Sequence, residues 1–514
     1  VGALITAGYG SVLGSFFPVM TVMSASDIGG GLSVAADPAA LVSTFYNIGN
    51  IAGILVTPAF AARVGRGRSM AWAGMGFLLA SIAAAIAPTL PWMLAARLFH
   101  GLFGGALPLM FMLLVMTSLK PGSGRFEGMT AFAASTTVFF GLAAPLGGSL
   151  ADGFGWRALF WVQAIAILPY CLAARHVLTS ELGNPSAFKT ADWGSYTLIT
   201  LGLSAILFAM SEGERHFWTE TWWVPALLVG GSIAAGFARW TLANAPRPLL
   251  VLAVFDRATF RWAMVLTLFF RFGSLFAIFI VPQYLGRIQG YRPIEVGALL
   301  AVMMPATLVA VVLAYYLSRR FDGRLVLTAG LSCYALASWL CTDISPEWAA
   351  DQLRYPAIVA GLGMGFFQVA VLRYAVLGAN LQNGPTVGAM FNLARVFGIF
   401  GGLAILSHLL VEREKFHSAR IVEGLAATDP ETAGRLAVLA GNFARFSSDD
   451  GGAHHAATAS LTRAAGQQAF TLGFADVFTI TALALLLGAI LVWILPALAP
   501  EASPAPAPST THPE

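Results

Sequence analysis

The chain has 514 residues, of which 57% are apolar and only 11% charged, with a formal net charge of +4. Mean hydropathy is +0.75, and soluble domains carry roughly 25% charged residues, so a soluble fold would leave large apolar patches in water. The small net charge and the lack of basic runs with interleaved aromatics exclude a nucleic-acid partner and leave the lipid bilayer as the environment.

A helix needs about 20 apolar residues to cross the hydrocarbon core. Taken along the chain, that length predicts fourteen spans, at 1–25, 40–62, 69–88, 91–118, 126–150, 157–176, 191–211, 221–241, 260–283, 295–317, 323–342, 354–376, 384–410 and 472–496. The first run is long enough to span, so no cleavable signal peptide is read. In the second span Asn47 and Asn50 lie three apart, on one face. A basic turn with Arg63, Gly65 and Arg66 follows. The fourth span carries Arg97, His100 and Gly101, and the fifth carries Pro145, Gly147 and Gly148. Glu212 sits where the seventh span ends. Arg271 is mid-span in the ninth, Gln368 lies in the twelfth, and Asn392 and Arg395 lie in the thirteenth.

The long connection 411–470 reads as a small helical cap. Asp429-Pro430 is a helix start within it: a side-chain cap, then a ring in the first turn where no N–H is needed. A break is expected from Ser447 to Gly452, and Asp476 lies just inside the last span. The Pro/Ala-rich tail 499–514 is expected to be disordered. Basic residues cluster in alternate connections, with Arg63, Arg66 and Arg68, Lys120 and Arg125, Arg239, Arg247, Arg257 and Arg261, and Arg319, Arg320 and Arg324. The positive-inside rule then puts both termini in the cytoplasm and the 411–470 cap outside.

Arg97, Arg271 and Arg395 lie in apolar runs, while the 25 Asp and Glu fall in loops or near run ends. A charge in hydrocarbon is costly unless it meets a counter-charge, water or a ligand. The pattern therefore predicts a central cavity that takes an anion. Arg271, Arg395, Asn47, Asn50, Gln368 and Asn392 are its candidate substrate-binding residues. The amides could equally be interhelical hydrogen bonders worth about 0.6 kcal/mol each. Histidine titrates near neutral pH, which makes His100 beside Arg97 a candidate proton carrier, with Glu212 and Asp476 as peripheral acids. Cys171, Cys333 and Cys341 show no metal or redox spacing. His454-His455 lacks a spaced third ligand, so no metal is expected. There is no phosphate-cradling G-x-x-x-x-G-K-[ST], no H-E-x-x-H and no paired mid-span carboxylate, which argues against an enzyme and against ATP as the energy source.

The turns 58–68 and 317–324 are both short, basic and Gly-containing, a weak internal repeat of the kind found in secondary transporters. Residues 58–68 resemble G-x-L-A-D-R-x-G-R-R with Pro58 for the first Gly and Ala62 for the Asp. Arg97 to Gly101 resembles R-x-x-Q-G with His100 for Gln. Ala144-Pro145-Leu146-Gly147-Gly148 resembles G-P-x-x-G-G. Trp156-Arg157 with Phe160, Tyr284-Leu285 with Gly290-Tyr291, and Asn392 with Arg395 and Gly398 follow in matching order. In these residues the chain resembles the major facilitator superfamily, in its fourteen-helix drug:proton antiporter branch of the EmrB/QacA type. The resemblance implies an all-α membrane fold: six-helix bundles over 1–176 and 258–498, the latter including the loop 411–470, with two extra spans in 177–257. It implies proton coupling at Arg97, conformational motifs at Gly101, Pro145, Gly147, Gly148, Arg63, Gly65 and Arg66, and a latch weakened by Ala62. Phe17 stands where the family often has a first-helix Asp.

The expected function is proton-coupled export of amphipathic small molecules, biased to organic anions or weak acids, by alternating access in a bacterial inner membrane. No cofactor is expected; the proton gradient supplies the energy. The resemblance adds a periplasmic adaptor and an outer-membrane channel as partners, with 411–470 placed for docking. Two other readings stay open: an uncoupled facilitator or importer, and a relative that binds ligand without transporting it.

Overall fold

The computed structural model describes residues 1–498, apart from 178–180, 182, 185–190, 246, 247, 249, 381, 426–428 and 446–449. Arg247, the start of the expected break at Ser447 and the tail 499–514 lie outside the described residues. With no water in hydrocarbon, each backbone N–H and C=O must be satisfied within its own segment, and apolar runs of this length do so as helices. Their hydroxyls follow suit: Thr21, Thr57 and Thr267 each donate to the carbonyl four residues back, at 2.9, 2.6 and 2.7 Å.

The spans are α1 (Gly2–Met23), α2 (Ala36–Val64), α3 (Arg66–Ala85), α4 (Leu90–Ser118), α5 (Ser123–Phe154), α6 (Arg157–Ala174), α7 (Trp193–Glu212) and α8 (Trp223–Asn244). They continue with α9 (Ala258–Ile288), α10 (Pro293–Arg320), α11 (Gly323–Trp339), α12 (Ala350–Val376), α13 (Gly384–Glu423) and α14 (Asp450–Leu491). Among the described residues, 13 helices have the 18 residues and the hydropathy to cross a membrane. The remaining one, α11, is a single residue short at 17 and packs between α12 and α14 like any other span. Fourteen traverses bring the two ends of the described residues to one face, the terminal end; α13 and α14 project from the opposite face, the cap end.

Two helices change their hydrogen-bonding pattern next to a proline. In α5 a 3-10 segment covers Val138–Leu142, because the Pro145 ring collides with the carbonyl four residues back and offers no N–H to it. In α9 a π segment covers Phe276–Ile280, just ahead of Pro282.

Small residues let particular pairs close up. Gly49 and Gly53 of α2 lie against the backbone of Leu98 and Leu102, while Gly101 and Gly105 of α4 lie against the backbone of Tyr46 and Asn50. On the seam between halves, Gly141 and Gly148 of α5 meet Leu300 and Ile294, and Gly297 of α10 meets Pro145. A Cβ at any of these would enter a neighbouring backbone, which is why small residues mark close helix contacts in membranes. Gly147 lies against the side chains of Met20 in α1 and of Ser24 just after it.

The cap is built mainly from continuations of the last two spans. At 1.5 Å per residue, the 40 residues of α13 and 42 of α14 are each about twice the length of the hydrocarbon core. The first and third helical patterns expected in 411–470 are thus extensions of α13 and α14 rather than separate helices, and Asp450 to Gly452 is helical rather than broken. The middle pattern is a helix at Pro430–Ala444, capped by the Asp429 carboxylate accepting from the Thr432 amide at 2.9 Å. Asp476 ties the two extensions, accepting from Arg413 Nε and His417 Nε2 at 2.6 Å each.

Candidate transport cavity

A cavity of about 300 Å³ lies between the halves, within the range of small-molecule sites. Its wall runs from the middle of the bundle to the cap end, through Asn47 and Asn50 of α2, Arg271 of α9, and Asn392 and Arg395 of α13. Five of the six candidate substrate-binding residues therefore share one wall. The sixth, Gln368, is fully buried in α12 with both amide atoms unpaired and does not line the cavity.

Arg271 is 4% exposed, and its Nε and Nη2 have no hydrogen-bond partner among the described residues. Its stem passes Gly398, where a Cβ would stand 2.7 Å from the Arg271 Cβ, and its guanidinium carbon lies 5.3 Å from the Phe270 ring centroid. Arg395 donates from Nη1 to Asn392 Oδ1 at 3.3 Å, while its Nε is buried without a partner. Asn392 in turn donates to the Gly388 carbonyl at 2.9 Å, so its amide oxygen is turned to the arginine. No Asp or Glu is among the lining residues. Arg271 and Arg395 thus line the deep part of a cavity with no Asp or Glu among its described lining residues, an arrangement suited to a carboxylate, phenolate or other organic anion.

The terminal end of the cavity is closed. Arg125 Nη1 donates across the halves to the Ala379 carbonyl at 3.2 Å, and Phe126 stacks on Tyr315 with ring centroids 5.6 Å apart. At the cap end α5 and α10 are held by Asp152 and Arg292 at 2.5 Å.

Arg97 and His100 stand elsewhere. Arg97 is 1% exposed, too deep to reach the surface along its stem, and both residues pack inside the N-terminal half without lining the cavity. Arg97 donates from Nε to the Val42 carbonyl at 3.3 Å and from Nη1 to His100 Nδ1 at 2.9 Å. His100 Nε2 then meets the Ser81 hydroxyl at 3.2 Å, and Ser81 donates to the Phe77 carbonyl at 2.8 Å. This chain is self-consistent with a neutral imidazole protonated on Nε2. Tyr46 separates it from the cavity, with its ring 4.4 Å from the Arg97 guanidinium carbon and also lining the cavity. Glu212 is buried at the cap end, 3.1 Å from Arg215, and Asp476 belongs to the cap; neither lines the cavity.

The motif turn carries a correction. Gly65 takes φ 88° at the joint of α2 and α3, a left-handed value that suits glycine. Arg66 holds the carboxylate of Glu181 at 2.7 Å and also the Thr117 hydroxyl, and the Asn184 amide donates to the Ala62 carbonyl at 2.9 Å. Gly183 lies against the Arg63 carbonyl. The acid missing at Ala62 is replaced by one from the α6–α7 connection, so the turn is not left without a carboxylate. Sequence spacing gave no sign of this, because the two residues are 115 apart.

Sequence reading also missed Tyr46, Thr44, Ser211 and Arg215 as wall residues. Arg215 was detectable in principle, since it follows Glu212 by one helical step.

Fold and cavity together are those of a multi-pass membrane transporter, and residues 2–403 match the Major Facilitator Superfamily, to which the chain belongs. The colistin resistance protein EmrB of Acinetobacter baumannii is 23% identical over 93% of this chain and 94% of its own length. The fatty acid resistance protein FarB of Neisseria gonorrhoeae is 23% identical over 80% of this chain and 81% of its own. Among solved structures, the proton:xylose symporter XylE of E. coli superposes with a TM-score of 0.58 at 13% identity, covering 96% of each chain. At that identity the likeness concerns the fold, and the family is one of transporters rather than enzymes.

Proposed function

We propose that the protein exports amphipathic organic anions or weak acids from the cytoplasm by alternating access, driven by proton antiport across a bacterial inner membrane. The carrying observation is the pair Arg271 and Arg395, which line a cavity with no Asp or Glu among its described lining residues. The names of the relatives, resistance to colistin and to fatty acids, favour export of toxic amphiphiles. Basic residues gathered at the terminal end, including Arg66, Lys120, Arg125 and Arg319, favour a cytoplasmic placement of both termini. On that orientation the cavity faces the periplasm. The halves 1–176 and 258–498 rock about Arg271 and Arg395, while the 177–257 pair accompanies them. The projecting ends of α13 and α14, with exposed Phe416, Val422 and Val438 on the cap, form the surface for a periplasmic adaptor leading to an outer-membrane channel.

The same wall favours a second reading. With no acid on the cavity and Phe17 buried in place of a first-helix Asp, an uncoupled facilitator needs no further group. Proteoliposomes carrying an internal pH dye separate the two. Proton movement driven by organic anions supports the antiporter; anion flux without proton movement supports the facilitator. Proton movement driven only by lipophilic cations removes the anion assignment.

A further inference from the structure

The two extra spans are not a passive spacer between the halves. The end of α7 forms part of the cavity wall, through Ser211 and through Arg215 in the turn that follows. This helix is fastened to α2 at three heights. The Tyr196 hydroxyl donates to the Ala52 carbonyl at 3.2 Å, the Thr44 and Ser211 hydroxyls meet at 2.6 Å, and Arg215 Nη1 donates to the Asp37 carbonyl at 2.6 Å. An apolar cluster of Ile51, Ile54 and Leu55 with Leu207 fills the space between these ties. Toward α13 the polar tie among the described residues is Glu214 with His408, at 2.9 Å. The turn between, with Phe217 at φ 52° and Trp218 at φ 48°, holds two side chains in the left-handed region. Trp218 Nε1 also donates to Glu214 at 2.8 Å, so the strained turn is pinned where it meets α13.

Arg215 differs from the two deep arginines in its company. Its guanidinium lies 3.1 Å from Glu212 and 3.4 Å from Asp37, and its side chain is 27% exposed. Its Nη2 makes no hydrogen bond among the described residues. Along one cavity, then, two arginines without carboxylates lie deep and one shared between two carboxylates lies at the mouth. A carboxylate leaving the deep pair meets a donor that can take it through Nη2. With two carboxylates on one guanidinium the cluster is net negative, so an anion is held there only through the Nη2 N–H bond and is released readily.

We propose that Arg215 is an exit subsite for organic carboxylates, supplied by the extra helix pair, and that Asp37 and Glu212 set how briefly it holds them. This rests on the anion reading above and deepens it. The test is transport of octanoate and octanamide by the full chain in proteoliposomes. Arg215→Gln is expected to lower the ratio of octanoate to octanamide transport, measured as kcat/KM, by about fivefold, the scale of a partly exposed charge pair. Asp37→Asn, which removes a competing acid while keeping Arg215, is expected to shift octanoate the other way, to a lower KM and a lower kcat through slower release. Tyr196→Phe, which loosens the α2–α7 tie away from the cavity lining and without touching charge, is expected to leave the ratio alone.

If Arg271→Ala lowers the ratio and Arg215→Gln does not, the subsite is overturned and the anion reading stands. If neither variant changes it, the anion reading itself fails. Equal ratio losses in Arg215→Gln and Tyr196→Phe would make the α2–α7 contact structural and overturn the subsite. Should Arg215→Gln not fold, Asp37→Asn decides alone: an unchanged or raised KM for octanoate overturns the proposal.

Discussion

Arg271→Ala probes the deepest charge in the cavity. In the protein two of its nitrogens, Nε and Nη2, are buried without a partner among the described residues. A carboxylate held by this guanidinium gains charge-assisted bonds in a site of low dielectric, and truncating one partner of such a pair costs about 2–5 kcal/mol. At 1.4 kcal/mol per decade, octanoate binding should weaken by about 30- to 4,000-fold. Arg395 remains in the wall and supplies part of the attraction, which favours the lower end. Octanamide accepts from the guanidinium with an uncharged oxygen, worth about 1.5–3 kcal/mol, so its loss should be smaller than that of octanoate. Calorimetric titration of the purified protein with both ligands reads the difference directly. Gly398→Ala offers a graded version, because the new methyl would crowd the Arg271 stem from 2.7 Å and displace the guanidinium rather than remove it. A smaller loss with the same preference for the carboxylate is expected. Equal losses for octanoate and octanamide, or no loss for either, would refute the claim that Arg271 binds the charge.

Replacing His100 by Gln should preserve the Arg97–Ser81 chain, since an amide can accept from one and donate to the other; His100→Ala strands the Arg97 N–H and should cost about 1–3 kcal/mol, read as a lower Tm. If both variants melt alike, the chain is not what holds this wall. Asp429→Ala removes the cap of the Pro430–Ala444 helix and should cost about 1 kcal/mol locally, seen as faster amide exchange over 430–444 with the spans unchanged. Asp27, in the short helix at the cap end, has its carboxyl pushed up by burial and then by the nearby Asp152 charge, with Arg292 opposing. A raised acid binds its proton more tightly in the folded state, so stability should fall as pH rises through the range above the ordinary carboxylate value. Asp27→Asn should flatten that slope in Tm against pH; an unchanged slope would assign it to another group.

The fourteen helices follow from the sequence alone, because hydrocarbon forces every long apolar run to satisfy its own backbone. The breaks in α5 and α9 were not legible, since Pro58, Pro108 and Pro169 lie within continuous helices and only packing selects Pro145 and Pro282. The candidate cavity was legible in part. A charge set mid-span in Arg271 and Arg395 implies a polar environment whatever the packing, and both line the cavity. Arg97 obeys the same rule but is satisfied differently, by the Val42 carbonyl, by His100 and by the Tyr46 face inside one half. Sequence fixes that a buried charge needs partners, and only packing decides whether the protein or a ligand supplies them. The carboxylate for Arg66 shows the same limit, since Glu181 arrives from a distant connection. So does the role of α7: its apolar run reads as one more span, and its place between α2 and α13, with Arg215 at the mouth, is set by contacts between residues far apart in the chain.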